Sequence, residues 1–177
     1  MSGDSRQGPN ILVSGTPGTG KSTLVAELLK SCSSMKSVNV SKLALDKNLI
    51  EEFDSERAVP IINEDAVLDE LEPLIAQGNM IVEYHASEFF PKRFFDRVVV
   101  LTTDNTILFD RLKQRGYSEG KIRENVECEI FQILIEEAKE SYDEEKVSVW
   151  PSETKEDLKR NVDRLREFIL EWRENNS

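Results

Sequence analysis

The chain has 177 residues, 38% of them hydrophobic and 32% charged, which fits a single soluble globular domain with its own core. No apolar run approaches the length of a membrane span, and the polar segment Met1 to Asn10 lacks the apolar region of a secretory signal, so a cytosolic or nuclear location is expected. The net charge of −11 argues against binding to free nucleic acid, DNA included, and favours either a basic protein partner or simple solubility.

The first predicted elements are a short apolar strand from Ile11 to Ser14, a glycine loop from Gly15 to Thr23 and a helix from Lys21 to about Ser31. The loop reads G-x-x-x-x-G-K-S, and a strand before it and a helix after it are the context in which this pattern forms a phosphate-binding P-loop. Glycines let backbone N–H groups surround an anion, and the helix N-terminus adds partial positive charge. We therefore predict that Lys21 contacts the phosphates of ATP and that Ser22 ligates Mg²⁺. The alternative is a glycine-rich turn before an ordinary helix.

Apolar periodicity divides the rest of the chain into alternating strands and helices. In chain order these are a strand at Val38 to Val40, a helix from Ser41 to about Phe53, a helix from Asn63 to about Gln77, strands at Met80 to Glu83 and Val98 to Leu101, a helix opened by Asp104, one long helix from Ser118 through Ala138, a strand at Lys146 to Trp150 and a last helix opened by Thr154. Pro73 should kink or divide the helix in which it lies. The alternation predicts a three-layer α/β fold with a five-stranded parallel sheet.

Two candidate site residues, Glu83 and His85, lie at the end of the strand Met80 to Glu83 and just after it. Glu83 ends that strand, where P-loop enzymes place the acidic residue that holds Mg²⁺ through water, and ligands gather outside the carboxyl ends of parallel strands. An ordinary acidic residue at a strand end is the alternative. His85 should point into the same crevice and position a phosphate or an attacking water, unless it packs structurally in the loop.

A basic cluster stands out in this acidic chain, and its members are Arg111, Lys113, Arg115, Lys121 and Arg123. A mobile loop that carries Arg115 would neutralise charge on a transferred phosphoryl group and exclude water, whereas a solvated charged turn is the alternative. The segment Thr154 to Asp157 resembles a guanine-recognition motif, but we interpret it as a helix cap. No Asp-x-x-Gly sequence occurs in the chain, which argues against a GTPase.

Four segments together resemble the nuclear adenylate kinase isoenzyme 6 family, also called the coilin-interacting nuclear ATPase, within the P-loop nucleoside-monophosphate kinase superfamily. They are GTPGTGKST, EYHASEFFP, RGYSEGK and ENVECEIFQ. The resemblance covers about Asn10 to Trp172. It implies adenylate kinase and ATPase activity, with ATP and Mg²⁺ bound and AMP or another nucleoside monophosphate as acceptor. It further implies a role in small ribosomal subunit (18S rRNA) maturation in nucleus and cytoplasm, on pre-40S particles, with a small-subunit ribosomal protein of the uS11 type as partner. A monomer is expected.

The resemblance also implies a division of the chain: a flexible leader at 1–9, a single kinase domain at 10–177, a monophosphate-binding region at about 39–62 and a short lid at about 114–124. It assigns His85 to coupling hydrolysis with structural change, Arg115 to contact with ATP, and Glu83 with Ser22 to the metal. The residues that it assigns to ATP binding are Gly18, Gly20, Lys21, Ser22, Thr23 and Arg115, and the P-loop pattern adds Gly15 and Thr19.

The chain departs from the family pattern at three places. Glu83 replaces the usual Asp, Ala86-Ser87-Glu88 replaces Gly-Cys-Asp, and Leu45 stands where an Arg is usual. Loss of that Arg removes a bidentate donor for the AMP phosphate, for which Lys42 or Arg57 would substitute. The alternative function is therefore an ATP-switched ribosome assembly factor that releases a ribosomal protein on hydrolysis and phosphorylates AMP weakly.

Overall fold

The structure is a computed structural model that describes residues 5–54 and 59–177. Its centre is a five-stranded sheet with the strand order β2-β5-β1-β6-β7, in which every neighbouring pair is parallel. The strands are β1 (Ile11–Gly15), β2 (Lys36–Asn39), β5 (Met80–Glu83), β6 (Arg97–Thr102) and β7 (Val147–Pro151). The predicted five-stranded parallel sheet is therefore confirmed.

The remaining elements in the described part of the chain are a small antiparallel hairpin, seven α-helices and two short 3-10 helices, Lys92–Phe94 and Glu144–Lys146. The hairpin is β3 (Ile50–Asp54) with β4 (Val59–Ile62), and the helices are α1 (Lys21–Ser31), α2 (Val40–Asp46), α3 (Glu64–Gln77), α4 (Asn105–Gln114), α5 (Glu119–Ile130), α6 (Ile133–Ser141) and α7 (Lys155–Asn175). None of the helices within residues 5–54 and 59–177 is long and apolar enough to cross a membrane.

Strand β1 shows why the fold has three layers. Its side chains are buried on both faces, as expected for a central parallel strand. Ile11 and Val13 pack with apolar residues of α1 and α7 on one side, whereas Leu12 packs with those of α3 and α6 on the other. The sheet is thus covered by helices on both faces, and the carboxyl ends of its central strands form one open edge.

The predicted helix from Ser41 to about Phe53 is wrong in its second half. Helix α2 ends at Asp46, Asn48 adopts a left-handed conformation with φ 55°, and strand β3 begins at Ile50. A reversal of this kind is tolerated by Asn and redirects the chain into the β3–β4 hairpin. Strand β3 is stabilised by its pairing with β4. The apolar spacing of β3 by itself, which also fits a helix, does not reveal that partner. Residues 55–58 and with them the candidate Arg57 lie outside the described residues.

The predicted long helix from Ser118 through Ala138 is also wrong, because it is two helices. The break lies between α5 and α6, where Gln132 has a φ of 54°. Ile122 on α5 packs with apolar residues of α4, while Leu134 and Ala138 on α6 pack in the core that contains α3. The apolar spacing continues across the break, but its two halves face different neighbours, so a single straight helix cannot serve both.

Helix caps agree with the sequence in several places. Asn63 and Asp104 cap α3 and α4, and Thr154 forms a capping box with Asp157 at the start of α7. Helix α3 continues through Pro73 without division, and Pro73 is exposed, so that water can solvate the carbonyl that lacks its usual donor.

Part of the predicted leader lies against the domain. The Gln7 N–H donates to the Gln77 carbonyl at 2.9 Å, and the Arg6 guanidinium forms a bidentate ion pair with Asp96 at 2.8 and 2.9 Å. Gly8 is buried. Residues 6–8 are therefore held at the edge of the sheet opposite to the P-loop.

Candidate active site

The glycine loop connects β1 to α1 at the open edge of the sheet. Gly18 and Gly20 both have φ values of 92°, a conformation that L side chains rarely adopt. A Cβ at Gly20 would also lie 2.8 Å from the Ser152 Oγ, so a side chain there would be strained and would displace Ser152 as well. The Thr19 hydroxyl is turned inward and donates to the Thr16 carbonyl at 2.7 Å. This leaves the loop backbone and the N-terminus of α1 facing the opening.

Lys21 lies under this loop. Its ammonium donates to the Gly15 carbonyl at 2.6 Å and to the Thr16 carbonyl at 3.2 Å. Burial lowers the pKa of Lys21 to about 8, and the nearby Glu83 carboxylate opposes that shift. The side chain is therefore a preorganised cation at neutral pH, held by carbonyls that a phosphate oxygen can replace as partners.

Ser22 and Glu83 meet at the edge of the sheet. The Ser22 hydroxyl hydrogen-bonds the Glu83 Oε1, and Glu83 is buried at the end of β5. Strand pairing brings them together, because β5 lies beside β1 with Val13 opposite Glu83. A hydroxyl and a carboxylate suit Mg²⁺, which keeps several waters and takes further ligands from substrate phosphates. No cluster of three or more His, Cys, Asp or Glu occurs among the described residues.

His85 stands in the loop after β5 and opens into the same cleft. Its backbone carbonyl accepts from the buried Ser14 hydroxyl at 2.7 Å, and its ring lies 4.3 Å from that of Tyr84. Desolvation between the cleft walls, with a smaller effect of the Lys21 ammonium, lowers the pKa of His85 to about 4. The imidazole is therefore neutral at physiological pH and can accept or donate a hydrogen bond but carries no charge.

Residues of helix α6, and Tyr142 directly after it, hold the loop that carries His85. The Glu137 carboxylate accepts from the backbone N–H groups of Ser87 and Glu88 at 3.0 and 3.2 Å, and the buried Tyr142 hydroxyl donates to the Ser87 carbonyl at 2.9 Å. The backbone at Ser87 and Glu88, within the segment that departs from the family pattern, is thus held by tertiary contacts. Sequence reasoning identified His85 but neither Glu137 nor Tyr142, because neither belongs to a local motif.

The sequence showed Arg111 only as a member of the basic cluster. In the structure its side chain supports the P-loop. Its guanidinium donates to the carbonyls of Gly18, Ser152 and Glu153 at 3.0 to 3.2 Å and to the Thr103 hydroxyl at 3.3 Å. These contacts join the P-loop to the ends of β6 and β7. Arg115, by contrast, is exposed at the C-terminus of α4 and faces the opening.

Glu129 is another residue that sequence reasoning did not single out. Its carboxylate accepts from the Thr16 hydroxyl at 2.8 Å and from the Thr103 N–H at 3.1 Å. Thr16 is part of the P-loop and Thr103 follows β6. The two hydrogen bonds of Glu129 therefore connect the end of α5 to the P-loop and to the end of β6. Its only signal in the sequence is its place in the CEIFQ segment.

Three adjoining cavities surround the P-loop. A central cleft of about 260 Å³ is lined by Lys21, Ser22, Glu83, His85 and Arg115. A donor-side cavity of about 420 Å³ shares Gly18, Gly20 and Arg115 with the cleft and includes Thr23. On the other side, an acceptor-side cavity of about 490 Å³ shares Pro17, Ser41, Tyr84, His85 and Tyr117 with the cleft. Most of the predicted site residues line these adjoining cavities, whereas Gly15 and Thr19 line none of the three.

A P-loop at the carboxyl edge of a parallel sheet, with Lys21, the Ser22–Glu83 pair and Arg115 around it, defines the chain as a P-loop protein of the nucleotide kinase class. A family model described as an AAA domain matches residues 11–132. The chain is 44% identical over 165 residues to the adenylate kinase isoenzyme 6 homolog of Drosophila melanogaster, covering 93% of this chain and 94% of that protein. It therefore belongs to the adenylate kinase isoenzyme 6 family.

Two further relatives are also named adenylate kinase isoenzyme 6 homologs. The Dictyostelium discoideum homolog is 42% identical over 172 residues, with 97% of this chain and 98% of that protein covered. The Saccharomyces cerevisiae homolog FAP7 is 44% identical over 169 residues, with 96% of this chain and 86% of that protein covered.

Solved structures support the fold. Shikimate kinase from Acinetobacter baumannii superposes with a TM-score of 0.62 at 17% identity, covering 94% of this chain and 95% of that one. A gluconokinase from Sinorhizobium meliloti gives a TM-score of 0.61 at 16% identity, covering 93% and 97%. At these identities the similarity establishes a P-loop kinase fold and no substrate.

Proposed function

We propose that the protein is a monomeric adenylate kinase with ATPase activity, which transfers the γ-phosphoryl group of ATP to AMP and to other nucleoside monophosphates. The observation that carries the proposal is the pair of cavities that open on opposite sides of the P-loop cleft. A simple ATPase needs only the donor side. Two cavities that each adjoin the cleft containing Lys21 provide separate places for a donor and an acceptor nucleotide.

The chemistry asked of the protein is positioning and charge stabilisation, because phosphoryl transfer in line needs no covalent enzyme intermediate. Lys21 and Arg115 both line the central cleft, so their cations face the place where charge develops. Ser22 and Glu83 would hold Mg²⁺, whose part is to neutralise charge on phosphate oxygens. The neutral imidazole of His85 would orient a phosphate or a water without adding charge.

The ATPase component follows from the same arrangement. The central cleft is open, and water that enters it reaches the same cations as the acceptor would. Hydrolysis and transfer therefore compete at one centre, and occupancy of the acceptor cavity decides between them. Leu45, exposed one turn beyond Ser41 on α2, cannot help to hold an acceptor phosphate, so hydrolysis is expected to be a substantial share of turnover.

The decisive experiment is incubation of the protein with ATP and Mg²⁺, with and without AMP, and chromatographic separation of ADP from free phosphate. An adenylate kinase forms two ADP for each ATP consumed when AMP is present, with little phosphate released. ADP formation that is matched by phosphate release and indifferent to AMP would refute the kinase proposal. A Lys21→Ala variant controls for contaminating enzymes and should be inactive in both assays.

A second candidate function is that of an ATP-switched assembly factor for the small ribosomal subunit, in nucleus and cytoplasm. The observation that favours it is an exposed apolar group at the break between α5 and α6, in a chain of net charge −11. Ile130, Phe131 and Ile133 are each about half exposed or more, at 51%, 69% and 49%. An apolar group within an acidic surface suits a basic protein such as a ribosomal protein.

This candidate is tested by fluorescence anisotropy with a labelled small-subunit ribosomal protein of the uS11 type at physiological salt. Phe131→Ser should weaken the complex, and ATP should change its affinity if the switch operates. Leu170→Ser, on the exposed side of α7, is the matched control because Leu170 is 59% exposed but lies apart from the α5–α6 break. Equal affinity of both variants and of the wild type would exclude this surface.

A further inference from the structure

We infer that Lys121 on α5 is the residue that binds the phosphate of the acceptor nucleotide. This inference rests on the proposed kinase function and names the charge that the acceptor side needs. It is carried by the position of the side chain, by the charges that surround the cavity and by the division of the cations between the cavities.

Lys121 lies in the wall of the acceptor-side cavity, beside the residue that this cavity shares with the central cleft on the same segment, Tyr117. Lys121 lines that cavity, and its Nζ lies 4.1 Å from the centre of the Tyr117 ring. Tyr117 lines both the acceptor-side cavity and the cleft that contains Lys21. An acceptor phosphate must lie where the cavity adjoins the cleft, because its oxygen has to approach the γ-phosphorus in line.

The acceptor-side cavity is lined by charges of both signs. Among the charged residues that the structure describes in its wall, Glu64 and Glu124 are acidic and Lys121 is basic. A phosphate dianion placed beside two carboxylates is repelled unless a cation offsets them. Within residues 5–54 and 59–177, the ammonium of Lys121 is the group that supplies that charge from the cavity wall.

The cations are divided between the two sides. Arg115 lines the donor-side cavity and the cleft but not the acceptor-side cavity, and Lys121 lines only the acceptor side. Both belong to the segment between α4 and the first turn of α5, where the Ser118 hydroxyl caps the helix by accepting from the Lys121 N–H at 3.3 Å. One short segment thus presents one cation to each nucleotide.

The residue type fits this task. Lysine is a point charge on a flexible stem, so its ammonium can leave the Tyr117 ring and follow a phosphate. A cation–π contact at a partly exposed site is weak compared with a charge-assisted hydrogen bond to phosphate. The Tyr117 ring therefore keeps the Lys121 ammonium close to the site and does not compete strongly with a phosphate for it.

The experiment compares Lys121→Met with Lys113→Met, which removes the same charge from an exposed position on α4 that lines none of the three cavities. Steady-state KM values are measured for AMP and for ATP, and calorimetry measures the binding of AMP and of adenosine, which lacks the phosphate. Lys121→Met should raise the KM for AMP about 10- to 100-fold and leave the KM for ATP nearly unchanged. Lys121→Arg should retain most of the affinity.

The calorimetric comparison isolates the phosphate. Wild type should bind AMP more tightly than adenosine, and Lys121→Met should lose that difference while its affinity for adenosine stays the same. If wild type phosphorylates AMP but Lys121→Met behaves like Lys113→Met, the assignment of Lys121 is refuted and the kinase function stands. If wild type neither phosphorylates nor binds AMP, the kinase proposal itself fails, and the inference fails with it.

Discussion

Replacement of Glu129 by alanine tests how strongly the P-loop depends on a helix far away in sequence. Its carboxylate accepts one hydrogen bond from the Thr16 hydroxyl and one from the Thr103 N–H, at 2.8 and 3.1 Å. Both donors belong to buried residues, since Thr16 is 0% and Thr103 4% exposed. Alanine leaves both donors without their partner, and the end of α5 loses its attachment to the P-loop.

The size of the effect follows from these two bonds. A hydrogen bond to a charged group contributes about 1.5 to 3 kcal/mol, and Glu129 is half-buried, so water can replace part of what is lost. We therefore expect a loss of about 2 to 4 kcal/mol of unfolding free energy, which corresponds to a fall in Tm of roughly 4 to 16 °C for a domain of this size. Glu129→Gln keeps one acceptor oxygen and should lose about half as much.

Thermal and urea unfolding measure the stability, and the KM for ATP reports the position of the loop. Glu127→Ala is the matched control, since Glu127 is exposed on the same helix. Glu129→Ala should also raise the KM for ATP several-fold, whereas Glu127→Ala should change neither quantity. A Glu129→Ala protein that melts within about 2 °C of Glu127→Ala would refute the reasoning.

Three further predictions concern nucleotide binding. Burial lowers the pKa of Lys21 to about 8, so in the free protein the Lys21 ammonium loses its proton as the pH rises through 8. We therefore expect kcat/KM for ATP to fall above that pH. A pH profile of kcat/KM that stays flat to about pH 9.5 would contradict this prediction. Arg111→Met removes four hydrogen bonds from the donor side and should raise the KM for ATP about tenfold while the KM for AMP stays constant. Leu45→Arg should tighten AMP binding, measured by calorimetry, and unchanged affinity would show that Leu45 does not limit acceptor binding.

The five strands of the parallel sheet and most helix ends could be predicted because their signals are local, whereas β3 and β4 were not predicted. Ile11 to Val13 is apolar on both faces and leads into the P-loop, and Asn63 and Thr154 cap their helices with their own side chains. The two errors have a common cause. The ends of α2 and of α5 are set by left-handed residues, Asn48 and Gln132, and by the neighbours against which the following segments pack. Periodicity within one segment carries no information about those neighbours.

The candidate site divides in the same way. The residues of the glycine loop, Glu83 at its strand end and His85 two residues later were all predicted, because each lies in or directly after a recognisable local pattern. Arg111, Glu129 and Glu137 were not predicted as supports of the site, because their partners are 93, 113 and 50 residues away in sequence. Their roles exist only once the chain has folded.

The sequence by itself determined that a phosphate-binding loop stands between a buried strand and a helix, since glycine conformations and a lysine at fixed spacing suffice for that. Only the tertiary structure decided that the loop has a cavity on either side, that Ser22 meets Glu83, and that Lys121 faces the acceptor side. The physical reason is that binding and phosphoryl transfer depend on distances between charges, and those distances are set by strand order and helix packing rather than by spacing along the chain.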